Sequence, residues 1–141
     1  MGSRTRPPKF GRRAQSAWLR GRVEAAFGFL VAERGFIGPE VHDAGLTYHS
    51  PNVAIDILYD EREQSVEALA CREVGETYIC ARLSCLIVEA HLGAAQDVKT
   101  AARTTHALDL ALASQADVLR RLLIPLEGDA RDDLMRACHA R

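Results

Sequence analysis

Between Val53 and Ala70 the chain alternates apolar and polar residues, with Val53, Ile55, Ile57 and Tyr59 in one run and Val66, Ala68 and Ala70 in the next. A period of two sends successive side chains to opposite faces of a strand, so each run has one apolar face and one wet one. Pairing Ile57 with Val66 and Ile55 with Ala68 turns both apolar sets inward and leaves Glu61-Arg62 as the turn. A slip of one residue would bury the acids instead. Leu46 and Tyr48 of "LTYHS" extend the same face, joined through Ser50-Pro51-Asn52, good chemistry for a type I turn. Three strands with an exposed apolar face are not stable alone, so helices must cover that face. The expected fold is therefore α+β: an antiparallel sheet of three or more strands, packed on one face by an N-terminal helix and C-terminal helices.

The helices are read from their period. Ser16 is a plausible N-cap for a helix to Arg34, with Trp18, Leu19, Val23, Ala26, Phe27, Leu30 and Val31 on one face and Gly35 as its left-handed stop. "FIGPEVHDAG" then reads as a connector. From Asp97, a fair N-cap, to Ile124 there is no Gly or Pro, and Ala101, Thr105, Leu108, Leu112, Ala116, Leu119 and Leu123 form a long apolar stripe that Pro125 ends. Gly128-Asp129 caps a last short helix holding Leu134 and Met135. "TYICARLSCLIVEAHLG" fits two readings. Ile79, Leu83, Leu86, Ile87 and Ala90 suit a helix ending at Gly93, while Thr77 to Ile87 alternates like a strand; a strand or loop at Glu76–Ile79 followed by a helix reconciles them. Residues 1–15, with Pro7, Pro8, Gly11 and the arginines, read as a mobile basic arm, and residues 16–141 as a single domain.

Charge is divided unevenly. The chain has a formal net charge of −1, yet residues 1–22 hold seven basic residues and no acid, while Phe36 to Glu76 holds nine acids against Arg62 and Arg72. In the assumed register Asp56 stands opposite Glu67 on the outer sheet face, and Asp60, Glu61 and Glu63 gather at the turn. Like charges across a ladder destabilise it, so this face is expected to serve a partner. Asp56, Asp60, Glu61, Glu63 and Glu67 are thus the candidate contacts for a basic protein. Arg4, Arg6, Lys9, Arg12 and Arg13 of the arm are candidate phosphate contacts for a nucleic acid, the competing reading.

Nothing in the sequence carries a catalytic or metal motif. There is no nucleophile elbow, phosphate-binding glycine loop or zincin helix. Ser84 lacks the glycines of a hydrolase elbow, and His49 reads as a solvated histidine beside carboxylates. An enzyme would need a pocket joining His49, Asp56 and Glu67. No cofactor and no metal are expected. Cys71, Cys80, Cys85 and Cys138 lack a secreted-scaffold spacing and read as free thiols in a reducing, cytoplasmic compartment. No run of about 18 apolar residues exists to cross a bilayer. Oligomeric state leaves no mark in the sequence.

The order "FLVAERGF", "YHSPNVAIDILYDEREQSVEALA", "YICARLSCLIVEAHLG" and "VLRRLLIPLEGD" resembles small bacterial α+β proteins of the immunity-protein-like kind. The likeness spans Ala26 to Asp129 and rests on Gly35-Phe36 at the helix end, Tyr59-Asp60 and Arg62 at the turn, and Gly128-Asp129 before the last helix. The basic arm departs from it. What the resemblance implies is a non-catalytic binding protein, immunity- or antitoxin-like, with a basic partner such as a toxin.

Overall fold

The computed structural model describes residues 12–139, with side chains from Ala17. Helices α1 (Arg12–Phe27) and α2 (Phe29–Arg34) are followed by strands β1 (Ile37–His42), β2 (Gly45–His49), β3 (Ala54–Asp60), β4 (Ser65–Val74) and β5 (Thr77–Arg82). Helices α3 (Leu83–Glu89), α4 (Thr105–Leu126) and α5 (Arg131–Ala137) follow. The five strands form one antiparallel meander in chain order. This is the α+β architecture expected, with two strands more than the minimum.

Burial follows the alternation. Leu46, Tyr48, Ile55, Ile57, Val66, Ala68, Ala70, Ile79 and Ala81 are all buried on one sheet face. Leu19, Val23, Phe27 and Leu30 of the first two helices meet them, as do Leu108, Leu112, Leu119 and Leu122 of α4. The small Ala68 and Ala70 let α4 lie close over β4. Gly35 stops α2 in the left-handed conformation (φ 74°), with its N–H and that of Phe36 both donated to Leu30 O. Gly45 is required by close approach: a Cβ there would sit 1.8 Å from Ile57 O.

Several expectations are corrected. The first helix already includes Arg12, ahead of Ser16, and is interrupted at Gly28. "IGPEVH" is edge strand β1 and not a connector. The β3–β4 register is displaced by two residues: Ile57 faces Ala68, Ile55 faces Ala70 and Tyr59 faces Val66. The loop between them is Glu61–Gln64, because Asp60 Oδ1 accepts from Glu63 N at 3.0 Å and Gln64 takes φ 50°. Glu61-Arg62 lacks the Asn or Gly that a two-residue hairpin turn needs. In "TYICARLSCLIVEAHLG" the strand extends to Arg82 and the helix ends at Glu89, with His91 and not Gly93 in the left-handed conformation (φ 57°).

The long helix starts at Thr105, where Thr104 Oγ1 accepts from Ala107 N, rather than at Asp97. The residues before it have another task. β5 pairs only with Leu69–Val74 of β4, leaving the start of β4 unpaired on that side. There Val66 N donates to Thr100 O (2.9 Å) and Ala102 N to Gln64 O (2.8 Å). Fully buried Gln115 completes the seam, accepting from Ala68 N (2.7 Å) and donating to Val66 O (3.0 Å) and Lys99 O (2.6 Å). Backbone groups buried beside α4 are thereby satisfied.

The cysteines are not free. Cys71 pairs with Cys80 across β4 and β5, and Cys85 with Cys138 between α3 and the end of α5. Disulfides persist in oxidising surroundings, so the cysteines no longer argue for a reducing compartment. Among the described residues no helix is long and apolar enough to cross a membrane.

Candidate functional site

The outer face of the sheet is a grid set by register. One row across the strands runs His49, Ala54, Cys71 and Cys80; the next runs Glu40, Thr47, Asp56, Leu69 and Arg82; a third joins Gly45, Leu58 and Glu67. Asp56 therefore faces Leu69 and Glu67 faces Leu58, so the expected confrontation of Asp56 with Glu67 does not occur.

Asp56 is instead the centre of a hydrogen-bonded cluster. Its Oδ1 accepts from Thr47 Oγ1 at 2.8 Å and lies 2.9 Å from His42 Nε2, which is itself 3.0 Å from Thr47 Oγ1. His42 Nδ1 accepts from Ala44 N at 3.3 Å, which leaves Nε2 as the nitrogen that donates to the carboxylate. In a catalytic relay the imidazole would hold the acid with one nitrogen and the hydroxyl with the other. Here one nitrogen meets both groups and the second is taken by backbone. The cluster ties β1, β2 and β3 together.

The other sequence candidates are dispersed. Glu67 lies 3.7 Å from Arg82, and His49 lies 3.4 Å from Glu40. His49, Asp56 and Glu67 thus each have a different neighbour. A shallow cleft does reach His49, but its walls are Pro51, Cys71, Arg72 and Tyr78. Apart from its spacing of two from Glu40, His42 carries no site signal in a segment, "FIGPEVHDAG", that reads as a connector.

The remaining acids gather at one end of the sheet. Asp60 caps the β3–β4 loop through Glu63 N, and Glu61 and Glu63 are exposed with no ion pair to another described residue. Tyr59 N donates to Ala44 O, which brings the β1–β2 turn with Asp43 beside this loop. Tyr59 packs edge-on against Trp18, with ring centroids 6.2 Å apart. Burial, and then the Glu61 carboxylate, push the Tyr59 phenol above its ordinary range. Of the arm candidates, Arg12 and Arg13 lie in helix α1, while Arg4, Arg6 and Lys9 lie outside the described residues.

Compared with protein-family models, curated proteins and solved structures, the chain matches none of them. The fold and the site define a helix-covered antiparallel meander with an acidic loop end.

Proposed function

We propose that the chain is a non-catalytic binding protein of the immunity or antitoxin kind, presenting the loop end of its sheet to a basic protein such as a nuclease toxin. The observation that carries this reading is the exposure of Glu61 and Glu63, without ion pairs to described residues, beside Asp60 and the β1–β2 turn. Asp56 is held in the His42–Thr47 cluster and Glu67 lies beside the Arg82 cation, so the contact surface contracts from the whole outer face to this end. A non-catalytic role is supported by the engaged nitrogens of His42, the most acid–base-like cluster on that face.

The test is affinity capture from a host extract, read by mass spectrometry, with three baits: the full chain, a chain lacking residues 1–11, and Glu61→Gln/Glu63→Gln. A basic protein held by the first two and lost by the third is the expected result. Capture that survives the double substitution would overturn the assignment of the surface. Nucleic acid retained only by the full chain would favour the arm and its phosphate contacts.

A further inference from the structure

We propose that the Cys71–Cys80 disulfide is a thiol-exchange site, which takes a small carboxylate-bearing thiol at Cys80, while Cys85–Cys138 is a fixed crosslink. The two pairs differ in place. Cys71 and Cys80 stand directly opposite each other in the β4–β5 ladder, and β5 is the last strand of the sheet. Cys80 is exposed, whereas Cys71 is only 2% accessible. An attacking thiolate reaches one sulfur from the side away from the other and expels the second as a thiolate. For Cys80 that side leads past the last strand, on which Tyr78, Cys80 and Arg82 are all exposed. For Cys71 it lies over Ala54 and His49, in the wall of the shallow cleft, where Cys71 itself is almost wholly covered. The entering thiol therefore bonds to Cys80, and Cys71 leaves.

The flanking side chains on β5 indicate the kind of thiol. Tyr78, 61% exposed, offers a ring on one side of Cys80, and the exposed guanidinium of Arg82 stands on the other. Arg82 lies two residues from Cys80 on the same face, its Nε 3.7 Å from Glu67 and its side chain largely exposed; its cation favours both a thiol bearing carboxylates and the departing thiolate. The hairpin does not depend on the crosslink, since ladder pairs from Leu69–Arg82 to Val74–Thr77 flank it. Cys85–Cys138 is placed otherwise. Cys138 is 1% accessible within the hydrophobic core, and Cys85 packs against that core.

The exchange balances in two steps. The thiolate of the first small thiol forms a bond to Cys80 Sγ as the Cys71–Cys80 bond breaks, and the Cys71 thiolate takes a proton from water. A second small thiol attacks the mixed disulfide, releasing the Cys80 thiol and the oxidised small disulfide. Two small thiols lose the two electrons that the protein disulfide gains.

The test treats the oxidised full chain with graded reduced glutathione, followed by alkylation and peptide mapping. Cys71 and Cys80 should open, with glutathione found on Cys80, at least about tenfold faster than Cys85 and Cys138. Opening of both pairs together, glutathione on Cys71, or four free thiols in protein purified without reductant would each overturn the proposal. Single variants give a second reading. With oxidised glutathione, Cys80 of Cys71→Ser should form the mixed disulfide about tenfold faster than Cys71 of Cys80→Ser. Equal rates in the two variants would sink the assignment of Cys80 as the entry point.

Discussion

The hydroxyl of Tyr48 is buried with the rest of its side chain and meets no hydrogen-bond partner among the described residues. A buried donor without a partner costs free energy that the ring's packing must offset. Tyr48→Phe keeps the ring and removes the hydroxyl, and should raise stability by about 1 kcal/mol near neutral pH. Burial, reinforced by the Glu24 carboxylate and opposed by Arg20, holds the Tyr48 phenol up at about 12 against an ordinary 10.0. The sign follows from proton counts. Above pH 10 the unfolded chain releases this proton while the folded chain keeps it, so stability falls as pH rises. The contribution is whole below about pH 10 and is lost towards about pH 12, roughly 2 to 3 kcal/mol in all. Urea unfolding of both proteins at pH 8 and pH 11 checks this. The advantage of Tyr48→Phe should widen at the higher pH, and a constant gap would mean that the phenol is not held neutral by burial.

At the scale of elements, the seam between the start of β4 and residues 99–102 is completed by one buried amide beside its two backbone hydrogen bonds. Gln115→Leu would leave Ala68 N without its acceptor, and Val66 O and Lys99 O without this donor. A loss of about 2 to 4 kcal/mol is expected, with faster hydrogen exchange at the Val66 and Ala102 amides. Unchanged exchange there would show that α4 packing alone holds the seam. This element also marks where sequence reading stops. The inward faces of β2, β3 and β4 were legible because parity is absolute: Ile55, Ile57, Val66 and Ala68 have one side to go. Register was not, because a shift of two residues keeps every side chain on its face, and only the loop chemistry at Asp60 and Gln64 distinguishes the two pairings. The start of α4 was hidden likewise, since Ala101 continues the helical stripe while its backbone serves β4. Cys71–Cys80 was within reach, for a two-residue turn at Gly75-Glu76 sets those residues opposite each other. The observed register changes what substitution does. Asp56→Asn weakens the His42–Thr47–Asp56 cluster and should cost about 1 kcal/mol, where cross-strand repulsion would have made it stabilising. Glu67→Gln, opposite Leu58 and at a long distance from exposed Arg82, should fall within about 0.5 kcal/mol of wild type. Denaturant midpoints for the two variants separate the registers.

For the whole molecule, the disulfides and the charge distribution act on different quantities. Cys85–Cys138 joins residues 53 apart and Cys71–Cys80 residues 9 apart. By loop-closure entropy the first contributes roughly 4 kcal/mol and the second roughly 2.5 to 3. Cys85→Ser/Cys138→Ser should therefore lower the unfolding midpoint further than Cys71→Ser/Cys80→Ser, and the reverse order would mean that native-state packing outweighs the entropy. The acids at the loop end bear on encounter instead. Glu61 and Glu63 are exposed and form no ion pair with a described residue, so Glu61→Gln/Glu63→Gln should leave stability within about 0.5 kcal/mol of wild type. The field they project is another matter, because a negative patch accelerates approach of a basic protein and is screened beyond about 10 Å at 0.1 M salt. With the captured basic protein as ligand, the double variant should associate more slowly at low ionic strength while dissociating at nearly the wild-type rate. The two association rates should then converge as salt is raised. A loss confined to dissociation, unchanged by salt, would place these side chains in a packed contact rather than a steering field. No change in either rate would move the partner surface away from the loop end altogether.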